Sequence, residues 1–253
     1  MSGRVVIITG GSSGIGLATL TRFARGGDQV VNLDLRPPAD PTTAAGWLEV
    51  DVTDWAGVDR AVDTVVERHG AVDVAVANAG ISIRHRVVDI TEEEFRRVLD
   101  VNLSGVFALW RACARHMLVQ RSGVLLATAS TNGTAGYPYY ADYNASKAGV
   151  LALCRSFALE LSPHVRTGAV SPGYVMTPMQ RSEYTDEMLA EVNSHIPLGR
   201  HADPAEIANM FHFLASADAA YLTGQQIIVD GGELAGGIAS TFGTLTRPDA
   251  PSG

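Results

Sequence analysis

Tyr143 and Lys147 lie four residues apart, and no other pair in the sequence is better placed to do acid–base chemistry. Beyond them Val150, Leu151, Leu153 and Phe157 recur at helical spacing from a start near Ala141. An i, i+4 pair on such a helix shares one face, about 6 Å apart along the axis. A phenol with its ordinary pKa of about 10 is a poor acid or base at neutral pH. An ammonium held beside it favours the phenolate, each pKa unit being worth roughly 1.4 kcal/mol. Ser130, 13 residues before Tyr143 at the end of the apolar run 124–129, can bring a hydroxyl from a strand end to the same place. Taken alone, Tyr-x-x-x-Lys is most often surface decoration, so its meaning depends on the elements around it.

Those elements begin with residues 4–9 (RVVIIT), a β-branched run that ends in Gly10-Gly11-Ser12-Ser13-Gly14-Ile15-Gly16. Leu17, Leu20 and Phe23 then take helical spacing. A strand, a glycine turn and a helix N-terminus form a cradle for a pyrophosphate, bound by free N–H groups and the helix dipole. A second strand, residues 29–33, ends at Asp34, 18 residues past Gly16 and near the offset at which a carboxylate meets the ribose hydroxyls of NAD. A Pro- and Thr-rich loop follows. Residues 47–52 are predicted as a strand closing on Asp51-Val52, residues 58–66 as a helix, and residues 72–77 as a strand before Asn78-Ala79-Gly80.

Thr91 to Glu94 is a capping box, and from it a long helix is predicted to carry Phe95, Leu99, Leu103, Phe107 and Trp110 on one stripe, with Asn102 inside it. Residues 165–170 form a strand leading to Ser171-Pro172-Gly173-Tyr174-Val175-Met176-Thr177-Pro178, where two prolines and a glycine are expected to break regular structure. Asp203 to Glu206 is a second capping box, and residues 227–229 are the last strand. Six or seven strands alternating with helices predict an α/β fold, a doubly wound parallel sheet in a single domain.

Composition narrows the function classes. With 46% hydrophobic and 18% charged residues, no apolar run long enough for a bilayer and no signal-peptide pattern, the chain reads as soluble and cytoplasmic, without a membrane partner. A net charge of −8 with no basic stripe argues against nucleic acid. Cys113 and Cys154 sit in apolar patterns and read as buried small hydrophobes, and the seven histidines lack ligand spacing, so no metal site is expected.

Over residues 4–232 the chain resembles a short-chain dehydrogenase/reductase of the compact, single-domain type, which implies a Rossmann fold. Thr9-Gly10, Gly14 and Gly16 match that family's cofactor turn, and Asn78-Ala79-Gly80 its motif after the fourth strand. Asn102, Ser130, Tyr143 and Lys147 match its catalytic tetrad, and Pro172-Gly173 with Thr177 its nicotinamide loop. The resemblance implies NAD-dependent interconversion of a secondary alcohol and a ketone, with Tyr143 as the acid/base. Lys147, together with the positive nicotinamide, would lower the pKa of Tyr143 and would hold the ribose hydroxyls, Ser130 would orient the substrate oxygen, and Asn102 would anchor a water carrying protons from Lys147 to solvent. Cofactor contacts are implied at Gly10, Ser13, Gly14, Ile15, Gly16, Asp34, Asp51, Val52, Asn78, Ala79, Gly80, Tyr143, Lys147, Pro172, Gly173, Val175 and Thr177. A homotetramer is implied as well.

The sequence departs from the family pattern at Ala77, which stands where a first Asn is usual, and at Thr167-Gly168, where Val-Asn is usual. Residues 233–253 form a C-terminal extension in which Ile238, Phe242 and Leu245 suggest a contact with the active-site rim or a neighbouring subunit. Arg84-His85-Arg86 is read as a solvated loop, and Tyr137, Tyr140, Met176 and Met179 as candidate pocket walls. The alternative is a catalytically silent NAD-binding regulatory protein on the same fold. Epimerase chemistry on sugar nucleotides, which generally uses a large C-terminal substrate domain, fits less well.

Overall fold

A computed structural model describes residues 3–38 and 46–236. Its centre is a seven-stranded, all-parallel sheet in the order β3-β2-β1-β4-β5-β6-β7. The strands are β1 (Val5–Thr9), β2 (Gln29–Asp34), β3 (Trp47–Glu49), β4 (Val74–Ala77), β5 (Gly123–Thr128), β6 (Val165–Pro172) and β7 (Gln225–Val229). The helices between them are α1 (Gly14–Arg25), α2 (Trp55–His69), α3 (Glu92–Leu99), α4 (Gly105–Gln120), α5 (Ala141–Leu161), α6 (Pro178–Glu183), α7 (Asp186–His195) and α8 (Pro204–Leu214).

The sequence dictates this layering through β1. Its residues VVIIT are all buried, as expected of a central parallel strand covered on both faces. Alternate side chains serve opposite cores. Val5 and Ile7 pack with Val58 and Val62 of α2, Leu109 and Trp110 of α4, and Val150 of α5. Val6 and Ile8 pack with Leu20 and Phe23 of α1 and Ile207 and Phe211 of α8. Cys113 and Cys154 are buried and free. The strand order reverses between β1 and β4, the crevice where ligands bind in open α/β sheets. Among the described residues no helix is long and apolar enough to cross a membrane.

Both capping boxes form, with Thr91 accepting from Glu94 N and Asp203 accepting from Ala205 N. Four features differ from the sequence expectation. The helix begun at Thr91 is interrupted by a π-turn, Asp100–Ser104. That turn rotates the register, so the expected stripe splits: Phe95 is exposed and Phe107 only partly buried, whereas Trp110 is fully buried. Strand β3 is shorter than expected, ending at Glu49. Strand β6 continues through Pro172, because β5 pairing stops at Val170 and the proline keeps only β7 as a neighbour. Helices α6 and α7 follow the breakers, capped by Thr177 and Thr185.

Candidate active site

The glycine turn after β1 is shaped by close approach. Gly10 has φ +66°, and a Cβ there would stand 2.9 Å from Ala79 Cα. A Cβ on Gly16 would stand 2.0 Å from the Gly10 carbonyl oxygen, so Gly16 packs the helix start against the turn. Thr9 Oγ1 accepts from the Asn78 and Ala79 N–H groups at 3.0 and 3.1 Å. Asn78 Nδ2 donates to the Thr9 and Gly10 carbonyls, and its Oδ1 accepts from Thr128 Oγ1 at 2.9 Å. Asn78 thus ties the ends of β1, β4 and β5 together.

Beyond this knot opens a cleft of about 440 Å³, within the range of roughly 300–1,000 Å³ usual for small-molecule and cofactor sites. Gly10, Ser13, Gly14 and Ile15 line it at the start of α1. Asp34, Asp51 and Val52 line it at the ends of β2 and β3, and Asn78, Ala79 and Gly80 at the end of β4. Tyr143 and Lys147 of α5 and Thr177 at the start of α6 complete the lining. Thr177 faces the glycine turn, its Cγ2 3.4 Å from where a Gly14 Cβ would lie. Gly16, Pro172 and Val175 do not line the cleft, and Gly173 lines the neighbouring pocket instead. Asp34 accepts from Ser12 N at 3.0 Å and from Arg36 N at 3.1 Å, which fixes its carboxylate at the cleft edge. Leu35 and Arg36 line it beside Asp34, and Thr53, Arg97 and Val101 also line the cleft, without a local sequence signal that points to them. An elongated cleft with a glycine cradle, a helix N-terminus and a carboxylate at one end fits a dinucleotide.

The tetrad residues converge; Asn102, Ser130 and Lys147 are buried and Tyr143 is half-buried. Asn102 is 0% exposed in the π-turn, where its Oδ1 accepts from Ile81 N and its Nδ2 donates to Ile81 O, both at 2.8 Å. Asn102 Nδ2 also donates to Ser146 Oγ at 3.3 Å, and Ser146 Oγ donates to the Tyr143 carbonyl at 2.7 Å. Lys147 is 3% exposed; its Nζ donates to the Thr128 carbonyl at 2.8 Å and lies 5.4 Å from the Tyr143 ring centroid. Ser130 caps the turn Thr131–Gly133, accepting from Asn132 N at 3.2 Å and donating to Asn132 Oδ1 at 3.1 Å.

Burial pushes the Tyr143 phenol up to about 12, with the Ser130 hydrogen bond opposing. Burial also pushes the Lys147 ammonium down to about 8. The lysine does not pull the phenol below its ordinary value, because its charge sits over the ring and both groups share one desolvated site. At neutral pH Tyr143 is therefore a neutral phenol, the form that donates a proton.

Tyr143 also lines a second, smaller cavity of about 100 Å³ on the far side, together with Ser130. Its walls include Tyr137, Tyr140, Tyr174, Gln180, Glu183 and Tyr184. Tyr140 donates to Glu183 at 2.8 Å, and Tyr137 donates to Glu233 at 2.5 Å. Gln180 and Glu183 belong to α6, which the sequence reading missed; the signal was Thr177 as N-cap before Pro178 at the first helical position. Met179 lines both cavities, and Met176 lines neither. The Arg84 guanidinium is stacked over the Tyr139 and Tyr184 rings at 5.3 and 5.6 Å from their centroids. Glu233, the first residue of the C-terminal extension, reaches the pocket wall; Ile238, Phe242 and Leu245 lie outside the described residues.

A family model described as enoyl-(acyl carrier protein) reductase matches residues 10–233. The 3-oxoacyl-(acyl-carrier-protein) reductase MabA of Mycobacterium tuberculosis is 41% identical over 231 residues, covering 90% of this chain and 92% of its own. The 3-alpha-(or 20-beta)-hydroxysteroid dehydrogenase of the same species is 35% identical, covering 98% and 96%. The ligand-free structure of Thermoplasma acidophilum aldohexose dehydrogenase superposes with a TM-score of 0.90 at 30% identity, covering 94% of this chain and 97% of that one.

Proposed function

The chain belongs to the short-chain dehydrogenase/reductase family of oxidoreductases, and on that premise we propose that it interconverts a ketone and a secondary alcohol, with Tyr143 as the acid/base group and NAD as the preferred cofactor. The observation that carries this reading is that Tyr143 lines both cavities, so a single phenol borders the cofactor cleft and the pocket behind it.

The nicotinamide, when bound, supplies or accepts the hydride, a two-electron exchange with the carbon that bears the substrate oxygen. The protein moves the proton. As the ketone is reduced, the Tyr143 hydroxyl donates its proton to the carbonyl oxygen; as the alcohol is oxidised, the same oxygen takes the proton back. Ser130, beside Tyr143 in the pocket wall, hydrogen-bonds the substrate oxygen and orients it. Lys147, its Nζ 5.4 Å from the Tyr143 ring centroid, holds ribose hydroxyls in the cleft and, with the nicotinamide charge, favours the phenolate. The Asn102 carboxamide is engaged by Ile81 and Ser146, so any part it takes in a proton-carrying water chain falls to its main chain. Gly10, Ser13, Gly14, Ile15, Asp51, Val52, Asn78, Ala79, Gly80 and Thr177 hold the dinucleotide along the cleft.

Asp34 supports NAD over NADP. Its carboxylate is held at the cleft edge, where it can accept from ribose hydroxyls but would repel a phosphate in their place. Arg36 in the same lining is the one group that favours the phosphate. A homotetramer is supported by two separate apolar faces. One carries Leu118, Val119 and Leu159 on α4 and α5; the other carries Phe213, Tyr221 and Ile228 around α8 and β7.

The test is a ketone and alcohol panel assayed with both nucleotides. Nucleotide-coupled turnover supports the proposal. Nucleotide binding without turnover of any member returns the chain to the regulatory alternative.

A further inference from the structure

The pocket beyond Tyr143 has a chemistry of its own. Its volume of about 100 Å³ is well below the roughly 300–1,000 Å³ of pockets that enclose drug-sized ligands. Its walls carry four phenols besides Tyr143, and two of these are committed to carboxylates: Tyr137 to Glu233 and Tyr140 to Glu183. Two polar atoms here are buried without a partner: the donor Gln180 Nε2, on a lining residue, and the acceptor Glu233 Oε2, behind the lining residues Tyr137 and Gly173. Glu233 Oε2 lies 2.9 Å from where a Cβ on Gly173 would stand, and Gly173 itself lines the pocket. An unpaired amide donor on Gln180 beside the Glu183 carboxylate in the same lining calls for a ligand that both donates and accepts, which a hydroxyl group does and an alkyl chain does not.

We propose that this pocket, on the reading of Tyr143 given above, selects a compact, uncharged ketone or secondary alcohol bearing further hydroxyl groups, held by Glu183 and Gln180, with Glu233 fixing Tyr137 from behind. An acyl chain or a steroid ring would leave Gln180 Nε2 unpaired and the Glu183 carboxylate without a donor from the ligand. A phosphorylated or carboxylated sugar would bring a negative charge beside two carboxylates. Arg84, stacked on Tyr139 and Tyr184 outside the lining, offers such an anion no direct contact.

The experiment uses the full-length enzyme with NAD and, separately, NADP. The substrates are sorbitol, xylitol, myo-inositol and dihydroxyacetone, against gluconate, sorbitol phosphate, acetoacetyl-coenzyme A and progesterone. The best neutral hydroxylated compound is expected to exceed every member of the second group in kcat/KM by about tenfold or more, a difference of about 1.4 kcal/mol. Glu183→Gln and Glu233→Gln, nearly isosteric, are each expected to raise KM for that compound several-fold while changing kcat far less, with Tm close to that of the parent. Preference for acetoacetyl-coenzyme A, progesterone or an anionic sugar overturns the pocket inference and leaves the oxidoreductase reading standing. So does an unchanged KM in both variants. Nucleotide binding with no turnover of any compound, by contrast, removes the oxidoreductase reading itself.

Discussion

The Lys147 ammonium is anchored to the Thr128 carbonyl at 2.8 Å and stands over the Tyr143 ring, 5.4 Å from its centroid, with only 3% of the lysine exposed. No carboxylate pairs with it among the described ion pairs. A buried cation held mainly by one carbonyl is a functional arrangement that costs stability.

Lys147→Met should therefore stabilise the free protein at neutral pH while removing activity. The sign follows from the folded pKa of about 8 against the ordinary 10.5. Between those values the unfolded chain binds more protons, so parent stability rises with pH across that window. Below it the full ionisation penalty is present. Thermal unfolding should show the variant's advantage at neutral pH and its shrinkage toward pH 10. A lower Tm for Lys147→Met at neutral pH would contradict this.

Asp34 sets the cofactor preference. The parent should favour NAD over NADP by about tenfold or more in kcat/KM, since a phosphate beside a fixed carboxylate loses at least about 1.4 kcal/mol. Asp34→Ala should narrow that ratio sharply, mainly by improving KM for NADP through Arg36. Equal or better kcat/KM with NADP in the parent would defeat the assignment.

The glycine turn is set by contact. Gly16→Ala places a Cβ 2.0 Å from the Gly10 carbonyl oxygen and 2.5 Å from Asn78 Nδ2, so the knot joining β1, β4 and β5 must shift. Overpacking of this kind costs roughly 1–3 kcal/mol, and each kcal/mol lowers Tm by about 2–4 °C in a chain of this size. Nucleotide affinity should fall as well. Gly136→Ala, with nothing within 4 Å, is the control and should leave both unchanged. A Tm and nucleotide affinity for Gly16→Ala equal to the parent's would show that the turn tolerates the methyl.

Residues that act through local spacing were legible in the sequence. Tyr143 and Lys147 lie together because a helix brings i and i+4 together, and the glycine turn follows a β-branched strand that had to be central. What was hidden depended on long-range geometry. The π-turn at Asn102 adds a residue to a helical turn without a local signature, and it rotated the stripe from Phe95 to Trp110. Gln180 and Glu183 escaped because Pro172, Gly173 and Pro178 read as breakers, although Thr177 and Pro178 start a helix. Glu233 reaches Tyr137 only because Gly231 and Gly232, at φ +65° and +93°, turn the chain back over the pocket. Spacing does not report burial, which raises the Tyr143 phenol and lowers the Lys147 ammonium.

The central claim is that the Tyr143 hydroxyl is the proton donor and acceptor of a nicotinamide-dependent ketone–alcohol interconversion. Tyr143→Phe removes that oxygen and little else, and its most direct test compares turnover and nucleotide affinity of the variant with the parent on the best substrate of the panel. The account predicts a fall in kcat of about a hundredfold or more, in line with the roughly 10²–10⁴ that a positioned acid or base contributes, with nucleotide affinity nearly unchanged. A variant that keeps more than a tenth of the parent's kcat would contradict it.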